Sequence, residues 1–343
     1  MKSHSLDATF DALAKELGDL AKLDYPIGRL TTYRVGGKAS LFVEATCVED
    51  LCRLSSSLMK AARSVPVLVL GGGSNLLISE RGFDGVVLHL AGTARFAEFT
   101  LITDSSDSTA LIRVGAALGM PVLARRSVDA GFAGLEWAVG IPGTVGGGVR
   151  MNAGGHGSDV SANLVRYGWF DLSSGLEGED TVQRLEFGYR HSSICATQVV
   201  LWAEFKVVPG DRETGKKTLA SIVRWRRQNQ PGGSNAGSVF KNPKGDSAGR
   251  LIEAAGLKGY RLGSASVSLR HANFIQVDEG GKADDVYAVV ACVAQRVKEK
   301  FGITLTPEIR LIGFTDNDPV GLDRSVGSSE RYEEESVGRD GKP

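Results

Sequence analysis

The sequence has little cysteine and no long apolar run, and each shortage excludes a class of protein. Only four of its 343 residues are cysteines, at positions 47, 52, 195 and 292, and none of them forms a C-x-x-C pair. No histidine lies at zinc-ligand spacing from them, so we predict reduced thiols in a cytosolic protein and no metal site. The longest apolar run, "VPVLVL" (65–70), is far too short to span a bilayer.

Net charge and a secretion signal are also missing. Forty basic residues balance forty acidic ones, so the chain has no overall field to attract nucleic acid or an anionic membrane. The first residues are not a signal peptide, because acidic residues interrupt them and Phe10, Leu13, Leu17 and Leu20 mark one face of a short helix. We therefore expect a cytoplasmic monomer that binds small molecules rather than nucleic acid or membranes.

The order of the predicted elements indicates an α+β fold rather than a regular βαβ ladder. We predict an N-terminal helix over 1–22 and a first region over 23–210, divided into parts of about 23–95 and 96–210. A second region follows over 211–315, where a basic helix begins after a turn at "PGDRETG" (209–215). The charged stretch over 316–343 lacks an apolar period and is predicted to be a disordered tail.

Two apparent motifs are better explained as ordinary structure. "GDSAG" (245–249) fits the elbow of serine hydrolases, but Asn-Pro-Lys precedes it instead of a strand, so Asp246 or Ser247 is predicted to cap a helix. "GDRETGKK" (210–217) fits a phosphate-binding P-loop until its last position, where Lys217 replaces the required Ser or Thr. We interpret it as a surface turn.

The chain has 44 glycines, and two clusters of them predict a binding site. In "GGGSN" (71–75), three glycines directly after an apolar strand can turn successive N–H groups toward one anion, and no Rossmann fingerprint is present because Leu76 replaces its third glycine. "GIPGTVGGG" (140–148) repeats the pattern, within a block over 139–157 that has too many glycines for a helix or a clean strand. A diphosphate or dinucleotide between the two loops, or tight turns and packing alone, would explain them.

Ordered motifs along most of the chain carry a family resemblance. They are "TTYRVGG", "LGGGSNLL", "GIPGTVGGG" with "MNAGGHG", "GYRHSS", "NAGSVFKNP", "AGRLIEAAGLKG", "HANFI" and "PEIR". Over roughly 25–312 the chain resembles UDP-N-acetylenolpyruvoylglucosamine reductases, the MurB family. The resemblance implies a two-part, vanillyl-alcohol-oxidase-like FAD-binding region over 23–210 and an α+β substrate-binding domain over 211–315.

The resemblance also implies a reaction in the synthesis of peptidoglycan precursors. With NADPH as co-substrate, reduced FAD passes a hydride to the β carbon of UDP-N-acetylglucosamine enolpyruvate, and Ser238 protonates the α carbon to give UDP-N-acetylmuramate. A serine hydroxyl stays protonated at neutral pH, and the developing carbanion is a much stronger base than water. Val239 and Phe240 would exclude water from this site.

Arg190 and Glu308 are the other two catalytic residues that the resemblance implies. The planar guanidinium of Arg190 suits the substrate carboxylate. Glu308 would lie beside the enolate and would need to hold a proton in order to stabilise an anion. A plain salt bridge at each position is the structural alternative.

The remaining residues implied by the resemblance hold the cofactor and the UDP-sugar. The cofactor-binding residues are Gly71, Gly72, Gly73, Ser74, Asn75, Ile141, Pro142, Gly143, Thr144, Gly146, Gly147, Asn152 and Ala153. For the substrate, Asn242 would contact the diphosphate, and Arg227 of the basic helix is a weaker candidate because a run such as "RWRR" is more often a solvated face. Lys241 is our own hypothesis for the cation beside the serine alkoxide, because it lies close to Ser238 in the sequence. No tyrosine lies between Arg190 and Ser238, so the chain resembles the shorter type without a tyrosine lid.

Two other functions remain open from the residues alone. The same scaffold could serve an FAD-dependent oxidase of sugars or lactones, in which "GSVFKNP" and "PEIR" would have no obvious role. A non-catalytic nucleotide-binding protein would use the glycine loops only to hold a ligand, and its residues 190, 238 and 308 could be replaced without chemical consequence.

Overall fold

The computed structural model describes residues 4–61, 63–92, 95–103 and 110–314, so the predicted tail lies outside the described residues. The α-helices are α1 (His4–Leu17), α2 (Val48–Lys60), α3 (Met120–Asp129), α4 (Val145–Arg150), α5 (Val160–Asn163), α6 (Arg212–Asn229), α7 (Ala248–Ala254) and α8 (Ala283–Phe301). The strands are β1 (Ala21–Tyr25), β2 (Ala39–Ala45), β3 (Val67–Leu70), β4 (Leu76–Ile78), β5 (Phe83–Leu90), β6 (Phe99–Thr103), β7 (Ala110–Gly115), β8 (Phe132–Ala133), β9 (Gly154–Gly155), β10 (Ser158–Asp159), β11 (Leu164–Asp171), β12 (Leu176–Thr181), β13 (Gln198–Pro209), β14 (Arg261–Leu262), β15 (Ala265–Val267), β16 (Ile275–Val277) and β17 (Arg310–Ile312). None of these helices is long and apolar enough to cross a membrane.

The smaller of the two main sheets carries the first glycine loop. Its strand order is β1-β2-β5-β3, with β1 antiparallel to β2 and the other pairs parallel. Leu41, Phe42 and Val43 of β2 are buried in succession, as expected for a parallel strand that is covered on both faces. Helices α1 and α2 pack against this sheet, and the loop "GGGSN" leaves the end of β3.

The larger sheet is antiparallel and has the order β12-β11-β13-β7-β6, with β8 paired to the end of β13. Its apolar side chains, such as Ile112 and Phe205, belong to the same buried cluster as Leu41 of the smaller sheet. The two parts predicted over 23–95 and 96–210 therefore share one hydrophobic core.

The C-terminal unit consists of the sheet β14-β15-β16 packed against α7 and α8. Its apolar cluster also contains Tyr33 and Leu77, which belong to the first region. Strand β17 leaves this unit and pairs in parallel with β4, so that Arg310 lies opposite Leu76. The C-terminal unit is thus joined to the first glycine loop by a strand pair.

Helix α6 differs from the sequence prediction in both its start and its packing. Asp211 accepts a hydrogen bond from Thr214 N at 2.8 Å and caps the helix, so the residues predicted as a turn over 209–215 include its first turn. Leu219 and Ile222 are buried in the core of the first region, where α6 packs against α3. The predicted boundary at 210–211 therefore separates α6 from the core that it covers, and a boundary after Asn229 follows the packing.

The glycine-rich block also contains a helix, contrary to the sequence prediction. Helix α4 begins after Thr144, whose Oγ1 accepts from Gly147 N at 3.4 Å. A Cβ on Gly146 would lie 3.0 Å from Ala116 Cβ, and one on Gly148 would lie 3.2 Å from Met120 Sδ. Close packing requires these glycines, and it outweighs their low helix propensity. The prediction for "GDSAG" is confirmed, since Ser247 Oγ caps α7 by accepting from Arg250 N.

Candidate active site

A cavity of about 810 Å³ brings the two glycine loops together with residues of the C-terminal unit. Its walls include 67–69, 71–76, 140–144, 147–148, 150–151, 153–156, 225–226, 230–231, 233 and 235–238, together with Thr32, Arg190, Ala196, Gln198, Phe274, Glu308 and Arg310. Pockets for small molecules and cofactors commonly measure about 300–1,000 Å³. Ser238, Arg190 and Glu308 therefore face one space, together with most of the predicted cofactor-binding residues.

The two glycine loops lie against each other without intervening side chains. A Cβ on Gly72 would lie only 2.7 Å from Gly143 Cα, so both positions require the absence of a side chain. Ser74 Oγ donates to the carbonyl of Pro142 at 3.0 Å and joins the loops directly. Glycine at these positions therefore allows the two loops to approach each other closely in the cavity wall.

Several polar groups on this wall have no hydrogen-bond partner in the described parts of the chain. The amides of Gly72, Gly73 and Ser74 donate no hydrogen bond to any of the described residues, and Gly73 adopts φ +60°. Thr32 Oγ1 is buried beside them and also lacks a partner within the same residues. Successive free amides next to a free hydroxyl suit the phosphates of a dinucleotide, so the residues present fit FAD.

Three sequence motifs meet at Glu308. Asn75 Nδ2 donates to the Glu308 carbonyl at 3.1 Å, and Arg310 N donates to the Asn75 carbonyl at 2.9 Å. Glu308 N donates to the carbonyl of Val239 at 2.7 Å, which places Val239, the residue after Ser238, against the segment just before β17. The backbone pairing thus brings "GGGSN", "NAGSVFKNP" and "PEIR" to one point.

Arg190 reaches the same point from a different loop. Its Nε donates to Glu308 Oε1 at 2.6 Å, and its Nη2 donates to the carbonyl of Gly154 at 3.0 Å. Both side chains are largely buried, and Arg190 itself adopts φ +54°, a strained conformation for a residue with a side chain. The hydroxyl of Tyr189 donates to the other oxygen, Glu308 Oε2, at 3.4 Å. Arg190 and Tyr189 thus hold the two oxygens of the Glu308 carboxyl group.

Comparison with known proteins agrees with this arrangement. The family model for the C-terminal domain of UDP-N-acetylenolpyruvoylglucosamine reductase matches residues 228–312, and a model for an FAD-binding domain matches residues 39–170. The reductase of Rubrobacter xylanophilus is 38% identical over 306 residues, which cover 88% of this chain and 99% of that relative. The reductase of Synechocystis sp. is 38% identical over 301 residues, which cover 86% of this chain and 92% of that relative. The chain belongs to this family.

A solved structure supports the fold as well as the family. The crystal structure of the reductase from Thermus caldophilus is 34% identical, covers 85% of this chain and 98% of its own, and superposes with a TM-score of 0.70. The predicted α+β fold with an FAD-binding region and a C-terminal domain is confirmed by this match and by the two family models. The C-terminal model begins at residue 228, close to the end of α6.

Five residues predicted for the site do not line the cavity, namely Gly146, Asn152, Arg227, Lys241 and Asn242. Asn152 donates to the Gly188 carbonyl at 3.1 Å and accepts from Ser161 N at 3.0 Å, so its side chain holds the loop before Arg190. Asn242 Oδ1 accepts from Ala248 N at 3.0 Å and orders the start of α7. Both amides are occupied by the protein itself.

Val239 and Phe240 do not shield the cavity from water as expected. Both are fully buried in the C-terminal cluster, and Asn273 Oδ1 accepts from Phe240 N at 3.0 Å. Their apolar side chains instead anchor the segment that presents Ser238. This packing explains why a polar cavity residue is followed by an apolar pair.

The end of α6 supplies cavity residues that sequence reasoning missed. Trp225, Arg226 and Gln230 line the cavity, whereas Arg227 is exposed and faces away from it. One position along a helix rotates a side chain by about 100°, so a run such as "RWRR" does not reveal which arginine faces the site. His156 also lines the cavity, and its ring contacts that of Trp225. In the sequence, only its place in "MNAGGHG" pointed to this role.

Proposed function

We propose that this protein catalyses the NADPH-dependent reduction of UDP-N-acetylglucosamine enolpyruvate to UDP-N-acetylmuramate, with FAD as its cofactor. The observation that carries the proposal is the Arg190–Glu308 ion pair, which lies next to the Ser238 segment in the cavity that the glycine loops enclose. Both substrates are nucleotides, which supports a cytoplasmic enzyme, and we expect it to act as a monomer.

The free amides of the first glycine loop, together with Thr32 and Thr144, would hold FAD. The chemistry supplied by FAD at this site would be the transfer of a hydride from NADPH to the β carbon of the enolpyruvyl group. The contact between Gly72 and Gly143 leaves no room for a side chain, so the distance between the two glycine loops is fixed at this point.

Ser238 is proposed to donate its hydroxyl proton to the α carbon. The residue lines the cavity and is partly buried, and Val239 and Phe240 hold its backbone in the C-terminal core. A hydroxyl anchored in this way meets the geometric requirement for a general acid in every turnover.

Arg190 is proposed to bind the substrate carboxylate as negative charge develops there. The contacts with Glu308 and Gly154 fix the plane of the guanidinium before substrate arrives, so little reorganisation is needed. Glu308 then positions Arg190 in the substrate-free enzyme. When the substrate carboxylate replaces it at Arg190, Glu308 would lie beside the developing enolate, where the family resemblance places it.

The test of this function uses the colour and the two half-reactions of the purified protein. FAD should copurify or rebind, NADPH should bleach the flavin absorbance without oxygen, and the enolpyruvyl substrate should then restore it. A protein that is reduced by NADPH but reoxidised only by oxygen is an oxidase, and this outcome overturns the proposal. A protein that binds no flavin overturns it as well.

A further inference from the structure

The motif "HANFI" (271–275) forms a turn between β15 and β16 that packs against the segment after Ser238. Within the turn, Phe274 N donates to the His271 carbonyl at 3.0 Å, and Asn273 N donates to His271 Nδ1 at 3.2 Å. Burial lowers the pKa of His271, so the ring is neutral at pH 7 and can accept this bond. The backbone of Asn273 is therefore held in a defined position.

The side chain of Asn273 pairs with both backbone groups of Phe240. Its Oδ1 accepts from Phe240 N at 3.0 Å, and its Nδ2 donates to the Phe240 carbonyl at 2.8 Å. The carbonyl of Asn273 also accepts from Val239 N at 2.9 Å, and the residue is only 3% exposed. A carboxamide has a donor and an acceptor in one plane, as a peptide group has. Asn273 thus takes the place of a neighbouring β-strand for these two residues.

The opposite edge of the same segment is held by the residues just before β17. Glu308 N donates to the Val239 carbonyl at 2.7 Å, and Lys241 N donates to the Thr306 carbonyl at 2.9 Å. Residues 239–241 are therefore fixed between the turn that contains Asn273 on one side and the segment that contains Glu308 on the other.

Ser238 itself has no comparable support. Neither its backbone groups nor its hydroxyl forms a hydrogen bond with any other residue that the structure describes, although the residue lines the cavity. The position of its hydroxyl therefore depends on the backbone of the residues that follow it. Asn273 does not line the cavity, so it can affect chemistry there through this backbone alone.

We propose that Asn273 is a positioning residue for proton transfer, because it holds the Val239–Phe240 backbone and thereby aims the Ser238 hydroxyl at the α carbon of the substrate. The inference rests on the proposed function of Ser238 as proton donor. A misplacement of about 1 Å can slow a positioned reaction about 10²-fold, so loss of this support should affect the protonation step.

The experiment compares the two half-reactions of FAD-loaded Asn273→Ala and Asn273→Gln by anaerobic stopped flow. Reoxidation of the flavin by the enolpyruvyl substrate should slow about 10- to 10²-fold in Asn273→Ala. The glutamine variant keeps both polar groups but displaces them by one methylene, so it should slow the same step less. Flavin reduction by NADPH should stay within about twofold of the wild-type rate in both variants.

Asn163→Ala is the matched control, because the Asn163 side chain also forms two hydrogen bonds but lies outside the cavity. It accepts from Trp137 Nε1 at 3.2 Å and donates to the Lys206 carbonyl at 3.3 Å. Both alanine variants should lower the unfolding temperature, whereas only Asn273→Ala should slow reoxidation. Equal losses in the two half-reactions of the Asn273 variants would indicate a general role in folding and would overturn the inference.

A mutant cycle with Ser238→Ala shows whether Asn273 acts through the hydroxyl. In the Ser238→Ala background, Asn273→Ala should slow reoxidation by less than about twofold more, because no hydroxyl remains to be positioned. The same loss in both backgrounds overturns the inference and leaves the proposed function intact. If the reduced flavin of the wild type is not reoxidised by the enolpyruvyl substrate, the proposed function itself fails.

Discussion

Asn75 and Glu308 are joined by a hydrogen bond of 3.1 Å from the side-chain amide of Asn75 to the backbone carbonyl of Glu308. The two residues are 233 positions apart, and the bond links the first glycine loop to the segment just before β17, which contains Glu308. The backbone of Glu308 is thus held by the same loop that lines the cofactor site. Cofactor binding and the position of Glu308 are therefore expected to be linked.

Replacement of Ser238 by alanine should separate the two half-reactions. Without the hydroxyl, reoxidation of the flavin by the enolpyruvyl substrate should slow by about 10²- to 10⁴-fold, because proton delivery to the α carbon is lost. Flavin reduction by NADPH should change much less. Both rates are measured from flavin absorbance by anaerobic stopped flow.

The control for this variant is Ser234→Ala, whose hydroxyl lies outside the cavity lining four residues earlier. Equal losses in both half-reactions of Ser238→Ala would contradict a role as proton donor and indicate a role in folding or binding.

The Arg190–Glu308 pair should show strong coupling in a double-mutant cycle. The two side chains are only 24% and 9% exposed, and either single alanine variant leaves a largely buried charge without its partner. We expect a coupling free energy of about 1–3 kcal/mol in the free energy of unfolding, measured by urea titration of the FAD-loaded protein.

Arg261 and Asp278 provide the comparison cycle, because their side chains are 50% and 55% exposed. Their coupling should be much smaller than that of the buried pair, because water screens both charges. Similar values in the two cycles would show that burial of the Arg190–Glu308 pair has no energetic consequence.

Gly72→Ala should reduce FAD affinity by forcing the glycine loops apart. The new methyl group would lie 2.7 Å from Gly143 Cα, and this neighbour is backbone that cannot rotate away. Overpacking of this kind costs about 1–3 kcal/mol, which corresponds to a roughly five- to 150-fold loss if it falls on FAD binding. The flavin content after gel filtration and the FAD dissociation constant are the measurements.

Gly92→Ala is the matched control, since a Cβ at Gly92 meets nothing within 4 Å. FAD affinity equal to that of the wild type in Gly72→Ala would show that the loops separate in the bound state and that their contact does not define the site.

The pH dependence of stability should contain a contribution from His156. Burial, and then the charge of Arg226, lower the pKa of His156 below its ordinary value of 6.5. The unfolded chain then binds a proton more readily than the folded protein, so stability is unaffected above pH 6.5 and falls as pH decreases from 6.5 toward the folded-state value.

The difference in unfolding free energy between wild type and His156→Gln isolates this contribution. It should be constant above pH 6.5, and the wild type should lose stability relative to the variant at lower pH. A relative gain of stability by the wild type on acidification would mean that His156 is stabilised as a cation.

Much of the cavity wall could be predicted because short motifs fix their own backbone. "GGGSN" after an apolar strand forms the expected loop with free amides, and Ser247 caps α7 as its context predicted. The sequence pointed to Arg227 as a substrate-binding residue, but Arg226 is the arginine that lines the cavity. The side of α6 that faces the cavity depends on how Leu219 and Ile222 pack in the core. Helix α4 was missed for a related reason: its glycines are explained only by the contacts of 146 and 148 with Ala116 and Met120.

The sequence by itself determined the family, the order of the motifs and the local conformation of the glycine turns. Each of these depends on residues that are close together in the chain, where backbone sterics and side-chain hydrogen bonding act directly. Only the tertiary structure decided that Arg190 is held by Glu308, that Asn242 serves α7, and that Trp225, Arg226 and Gln230 share the cavity. These contacts join distant segments, and their geometry is set by how the sheets and helices pack.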